Sequence, residues 1–405
     1  MPVTLPPFDA LPLDKAGPPG NAWGLWGPDD QLGRLNLLTP ETVAAAASEI
    51  KEGLRISLDW PLDKPSHPTF NRQQFEHRII NAAPMTQNDD AVHFNTQSST
   101  QWDGFRHYGY QRAKQFYMGH VQEDFQPGSG KLGIDAYANN GGIIGRGVLL
   151  DWASWADHNG IHLSPFQTGA IELAHLKAIV AEYNIQFRQG DILFIRSGFT
   201  AAYNALSAQD RENFPNRQPG GLLGFEATRD SLRWLWENEF AAVAGDAMGF
   251  ERGPATGPYN DPDVSIHQWA LGGWGMPIGE MFDLEALAEA CRSRNRFPEA
   301  LQALETQLLS FTMIFSRIAL ASAVAAVWSA ITVVAGPTAN AERSSWPLIP
   351  RELEAPIRCT GGMTPDSRCT NGLRKNGCRC DSKRTYLCDP PQMAKNGGIC
   401  AKCGC

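Results

Sequence analysis

With 405 residues, 42% of them apolar, the chain has length for two or three domains and enough apolar material for a sizeable core. Its formal net charge of −8 excludes general nucleic-acid affinity, which needs a basic face, though not a small anionic substrate, because a local site can differ from the sum. The charge is uneven: residues 342–405 carry +5 and the rest −13, and eight of the nine cysteines fall in that basic tail, leaving only Cys291 upstream.

Residues 1–22 are rich in Pro and Gly and are expected to form a flexible arm. "LTPETVAAAASEIKEG" predicts a helix, with Thr39 as N-cap, Pro40 in the first turn and Gly53 at the end. "LRISLDWPL" alternates apolar and polar residues and predicts a strand. "GVLLDW" (147–152) and "GDILFIRSG" (190–198) are short apolar runs between glycines and predict buried strands, with a helical stretch around 171–183 between them. A helix over 226–238 leads into the strand "FAAVAGD", and "DLEALAEACRS" predicts a last helix with Asp283 as N-cap. Strands alternating with helices, after an antiparallel-looking start, indicate an α/β domain over residues 23–300.

The next segment changes character. From Met313, a short basic stretch with Arg317 precedes an apolar run, 318–336, and then Ala339, Asn340 and Ala341. These are the parts of a secretory signal peptide in their usual order, so 313–341 reads as a signal-like segment placed mid-chain, as if two genes had been joined. A membrane span is the alternative, and membrane contact is expected only if 318–336 is a real span. The even number of tail cysteines in 342–405 predicts a small disulfide-rich module, or less simply a soft-metal site in "CAKCGC". Cysteine-poor sequence upstream suits the cytoplasm; a cysteine-dense module suits a secreted or membrane-attached location.

The residues that carry chemistry cluster in "HFNTQSSTQWDGFRHYGY", His93 to Tyr110. Asp103 and His107 are good donors for a hard or borderline divalent cation, and His267 in "SIHQWALGGWG" and Glu280 in "MPIGEMFDLEAL" can join them if the fold brings them close. A neutral amide is a weaker ligand than imidazole, which counts against Gln97 and Gln101. A cation so held lowers the pKa of water and polarises a carbonyl, which suits amide or ester hydrolysis, with a histidine to move the proton. The dense tryptophans Trp23 and Trp26 predict a core or subunit interface, with closure of a substrate pocket as a rival role. Arg196 in "FIRSG" is either an anion-binding residue or a structural ion-pair partner.

The stretch Gln97–His107 resembles the signature of the cyclase family that includes bacterial-type kynurenine formamidases and isatin hydrolases: His-x-Gly-Thr-His-x-Asp-x-Pro-x-His. Thr100, Asp103 and His107 match, Gln97 and Gln101 stand at the two histidine positions, and Phe105 replaces the proline. "WGLWGPDDQLGRLNLLTPETVAAAASEIKEGLRISLDWPL", "GGIIGRGVLLDW", "GDILFIRSGF" and "AAVAGDAMGFE" follow in the family's order, so the resemblance spans about residues 20–295 and looks like the longer, fungal-type members. The resemblance implies a swivelling β/β/α fold, followed here by a hydrophobic helix and a small disulfide-rich module. It implies a metal-dependent hydrolase of a C–N bond, arylformamidase-like, acting on a small-molecule substrate and often homo-oligomeric. Asp103, His267 and Glu280 would ligate Mn2+ or Zn2+, Gln97 and Gln101 would occupy the two remaining ligand positions, and His107 would transfer the proton. The oxygen-richer set shifts preference from zinc towards manganese or magnesium. The family's closing C-terminal strand has no counterpart in the sequence after "CRSRNRF". Two rival readings are a small-molecule binder on the same fold and a membrane-anchored or secreted cysteine-rich protein.

Overall fold

The computed structural model describes residues 4–254, 262–294, 378–380 and 386–388. The chain divides into two units, Met1–Val327 and Trp328–Cys405. Of the second, only an antiparallel pair is described, Cys378–Cys380 with Tyr386–Cys388. The signal-like or membrane segment 313–341, the closing strand and the disulfide pairing lie outside the described residues. No helix among the described residues is long and apolar enough to cross a membrane.

The first unit contains nine strands among its described residues. They are β1 (Glu76–Asn81), β2 (Asn88–His93), β3 (Gln101–Asp103), β4 (Gly147–Leu150), β5 (Gly169–Ile171), β6 (Ile192–Ile195), β7 (Leu223–Phe225), β8 (Ala242–Gly245) and β9 (Ile278–Glu280). Five make the central sheet, in the order β3-β9-β8-β6-β4. β9, β8, β6 and β4 run parallel, and β3 closes one edge antiparallel to β9. The sequences of β4, β6 and β8 (GVLL, ILFI, AVAG) are buried at every position, as expected of parallel strands covered on both faces. Helices Trp152–His158 and Leu173–Glu182 connect β4 to β6, and Phe199–Asn204, Ala208–Asn213 and Arg229–Glu237 lie between β6 and β8. β5 and β7 form a separate parallel pair, and β1 and β2 a separate, mostly exposed hairpin.

Local signals explain most of these elements. Thr39 Oγ1 accepts the Thr42 amide at 3.3 Å and caps the helix Pro40–Ala47. Thr228 does the same for Arg229–Glu237 through the Ser231 amide at 3.1 Å. The last helix, Glu285–Ser293, begins after Leu284; Asp283, expected as its cap, accepts the Glu285 amide at 3.2 Å from one position earlier.

Two expectations are corrected. "LRISLDWPL" is not a strand. Its alternation does report burial, since Leu58 and Trp60 face the core, but the backbone bonds elsewhere: the Trp60 amide donates to Thr100 Oγ1 at 2.8 Å and Leu58 accepts from the Asp283 amide at 2.8 Å. Nor do residues 4–22 form a free arm. Phe8 is buried and stacks on Trp269 at 5.7 Å, Trp236 Nε1 donates to the Pro6 carbonyl at 2.8 Å, and Asn21 is buried. Proline and glycine here shape a packed path rather than a loose one.

That path clamps one segment. The Ala22 amide donates to the Gly273 carbonyl at 3.0 Å, Trp23 Nε1 to Gly272 O at 2.8 Å, and Trp274 Nε1 to Gly20 O at 3.0 Å. All three anchor the π-helical turn Gln268–Trp274, which ends at Gly275 in a left-handed conformation (φ 62°). The Arg34 amide bonds Gly275 O at 2.7 Å, and a Cβ at Gly33 would lie 2.0 Å from that oxygen, so the approach requires glycine there. Trp23 is therefore core, and its packing braces the turn that begins just after His267.

Candidate metal centre

The edge of the central sheet builds the site. β3 and β9 pair so that Gln101 lies opposite Glu280 and Asp103 opposite Ile278. Side chains two apart on a strand share a face, so Gln101 and Asp103 point the same way. His267 comes from the start of the clamped turn between β8 and β9. Asp103, His267 and Glu280 each offer a ligand atom, and these atoms lie within 4.8 Å of one another. His267 Nε2 is 3.1 Å from Glu280 Oε1 and 3.8 Å from Asp103 Oδ2. The expected union of residues near 100 with residues near 270–280 is present.

Each member is held by neighbours. Gln97 Nε2 donates to Asp103 Oδ1 at 2.5 Å, and Gln101 Nε2 donates to Glu280 Oε2 at 3.0 Å and to Gln97 Oε1 at 3.3 Å. The Phe250 amide donates to Glu280 Oε1 at 3.2 Å. His267 Nδ1 meets Glu251 Oε1 at 2.7 Å. Glu251 also accepts from the Ser265 hydroxyl and the Ile266 and His267 amides, between 2.8 and 2.9 Å. Glu251 therefore fixes the imidazole so that Nε2 faces the other two carboxylates. Sequence reasoning missed it. Its only trace was the "GFE" that follows the strand "AAVAGD", and nothing local ties that glutamate to a histidine sixteen residues on.

His107 stands at the rim, with Nε2 3.9 Å from Asp103 Oδ2 and its side chain 27% exposed. Its ring lies 6.4 Å from that of His267, and Tyr108 packs edge-on against His267 at 5.7 Å.

The electrostatics follow from burial and crowding. Burial, then Glu280, pushes the Asp103 carboxyl up to about 6, against the pull of His107, His267 and the Gln97 bond. Burial pulls the His267 imidazole down, but its bonds to Glu251 and Glu280 prevail and hold it well above its ordinary range. Burial likewise works to raise Glu251, and contact with His267 outweighs it, leaving the carboxyl lowered.

The residues fit a cation. Among the buried oxygens without a hydrogen-bond partner are two at this point, Asp103 Oδ2 and Gln101 Oε1. A buried polar atom without a partner is costly, and both belong to residues that line this point. The donor set of two carboxylates, one imidazole and amide oxygens suits a hard or borderline divalent ion.

Arg196 is not part of the site. It pairs with Asp151 at 2.6 Å and with Glu285 at 2.8 Å, which settles its role as a structural ion-pair partner.

The family model named Cyclase, described as "Putative cyclase", matches residues 38–252. Among solved structures, one described as a novel cyclase is 30% identical, covering 68% of this chain and 91% of that one, with a TM-score of 0.59. Isatin hydrolase A from Labrenzia aggregata, bound to benzyl benzoate, is similar at 15% identity, with coverage of 62% and 87% and a TM-score of 0.41. A predicted metal-dependent hydrolase from Bacillus stearothermophilus is similar at 14% identity, with coverage of 57% and 82% and a TM-score of 0.31. No curated protein matches the chain. The family match spans more than half the sequence and runs through both the β3 segment and Glu251, so the chain belongs to the cyclase family.

Proposed function

We propose that the domain is a metal-dependent hydrolase that cleaves the C–N bond of a small amide or cyclic amide, arylformamides included. The observation that carries this is the buried Asp103 Oδ2, which has no hydrogen-bond partner and lies where the ligand atoms of His267 and Glu280 converge.

Asp103, His267 and Glu280 would hold the ion, with the Gln97 and Gln101 amides beside them; manganese or zinc suits this mixed set, the surplus of oxygen favouring manganese. A bound divalent ion supplies Lewis acidity, polarising a carbonyl and easing deprotonation of water. The protein does the rest. Glu251 orients His267 through Nδ1. Gln97 and Gln101 orient the two carboxylates. His107, at the rim and within reach of Asp103, takes the proton that water gives up and delivers it to the amine nitrogen as the C–N bond breaks. The products are a carboxylic acid and an amine. Scarcity of cysteine upstream of the tail supports a reducing compartment for this chemistry.

A second reading has its own observation. The Gln97 and Gln101 amides donate to both carboxylates, so the site partly satisfies itself without an ion. On that reading the domain binds a small molecule and does not turn it over. Elemental analysis of the purified full chain, with hydrolysis assays on formanilide and a cyclic imide, separates the two. Near-stoichiometric manganese or zinc together with turnover supports the hydrolase. Absence of metal after dialysis against micromolar ion, with no turnover of either compound, supports the binder.

A further inference from the structure

β9 ends at Glu280, and the residue after it takes an uncommon turn. Met281 has φ of 55°, a left-handed conformation that a long side chain adopts only where its surroundings impose it. Its side chain is buried in a small apolar cluster with Trp60, Phe199, Tyr203 and Met248. Its amide donates to the Ala247 carbonyl at 3.0 Å, and the Phe282 amide to Gly245 O at 3.1 Å. The register that sets Gln101 opposite Glu280 would set Thr100 opposite Met281, but the ladder stops before that pair. Thr100 makes the contact with its side chain instead: Oγ1 donates to the Met281 carbonyl at 2.6 Å and accepts the Trp60 amide at 2.8 Å. Thr100, Met281 and Trp60 are all buried. One hydroxyl thus joins the segment before β1, the start of β3 and the end of β9, and spends its single proton on Met281.

Both ends of that contact lead directly into the site. Thr100 precedes Gln101, Met281 follows Glu280, and Gln101 Nε2 lies 3.0 Å from Glu280 Oε2. A shift between Thr100 and Met281 therefore reaches the Gln101–Glu280 pair one residue away, with no loop between to absorb it. We infer that Thr100 is a positioning residue for the metal centre: its hydroxyl replaces the missing rung of the β3–β9 ladder and so fixes Glu280 and Gln101 relative to each other. It acts through these two residues. Valine has the shape of threonine but can neither donate nor accept. In Thr100→Val the Trp60 amide and the Met281 carbonyl lose this partner while buried, and the left-handed turn loses the bond that holds its carbonyl. Serine keeps the hydroxyl and gives up only a methyl group.

The inference rests on the metal-centre reading, and its test separates the two. Manganese is titrated calorimetrically into the full chain and into Thr100→Val, Thr100→Ser and Thr228→Val, the last removing a helix cap elsewhere in the fold as a destabilised control. Cobalt is added to the same four proteins, and its visible absorption reports the geometry around the ion. Thr100→Val should bind manganese about tenfold or more weakly and shift the cobalt bands, the effect expected when a residue that orients a ligand is lost. Thr100→Ser should restore both towards the wild type, and Thr228→Val should alter neither. Manganese affinity and cobalt bands unchanged in Thr100→Val overturn the inference, and so does an equal loss in Thr228→Val, which would trace the effect to general destabilisation. Should Thr100→Val give no folded protein, the wild type decides. Ion binding should then slow hydrogen exchange around Trp60 about threefold or more beyond any slowing around Ser231, and equal slowing overturns the inference. If the wild type binds neither ion, the metal centre itself fails, and this inference with it.

Discussion

Gln101 and Glu280 face each other across the antiparallel β3–β9 pair, and Gln101 Nε2 donates to Glu280 Oε2 at 3.0 Å. A position that the family resemblance assigns to a metal-binding imidazole therefore holds an amide that touches the opposite ligand. The same substitution at Gln97 leaves the site rich in oxygen, with His267 its one central nitrogen donor.

Restoring imidazole should change ion preference. Gln101→His, alone or with Gln97→His, should tighten zinc binding by about tenfold or more and move the site away from manganese, because nitrogen donors favour zinc. Competition against a chromophoric chelator measures it. Unchanged zinc affinity in the double variant would show that these positions do not reach the ion.

Glu251 touches no ion in the proposed arrangement, yet it orders His267. Glu251→Gln keeps the shape and loses the charge. Metal affinity should fall by about ten- to a hundredfold, the usual cost of removing a partner that orients a ligand histidine. Calorimetric titration with manganese reads the loss, and circular dichroism confirms that the fold persists.

His107 should separate turnover from ion binding. His107→Ala is expected to lower kcat by about a hundred- to ten-thousandfold while metal content stays at the wild-type level. A matched fall in metal content would reassign His107 as a ligand.

Asp246 gives a pH test away from the site. It follows β8, is fully buried, and accepts the Ser197, Gly198 and Phe199 amides and the Ser197 hydroxyl. Burial outweighs these bonds and raises the carboxyl to about 6 from 3.8. The folded state thus holds this proton more tightly than the unfolded chain. The resulting stability is full below the unfolded value and is lost as pH rises through the folded one. At about 1.4 kcal/mol per unit, the swing is roughly 3 kcal/mol. The stability of wild type minus that of Asp246→Asn, from urea unfolding, should fall by about that amount between pH ~4 and ~7. A difference constant with pH would show that the carboxyl titrates normally.

Much of this was legible in the residues. Apolar runs between glycines located β4 and β6, and the apolar run after the 226–238 helix located β8, because parallel strands, covered on both faces, need uniform apolarity. Capping chemistry placed the helix after Thr39 because a hydroxyl and an amide three residues on satisfy each other locally. The signature around Asp103, with His267 and Glu280, pointed to three side chains that the fold brings within 4.8 Å of one another, since the chemistry of a cation restricts which side chains qualify.

What the sequence by itself determined, then, was composition and local geometry: which segments are apolar, where helices start, which side chains are able to ligate. Only the tertiary structure decided who meets whom. Glu251 reaches His267, Arg72 reaches the Gln97 carbonyl, Arg196 is consumed by Asp151 and Glu285, and residues 4–22 clamp the turn beyond His267 instead of hanging free. The physical reason is range. Periodicity and capping act within a few residues along the chain, whereas a hydrogen bond or ion pair depends on positions in space that the packing of the whole sheet must first establish.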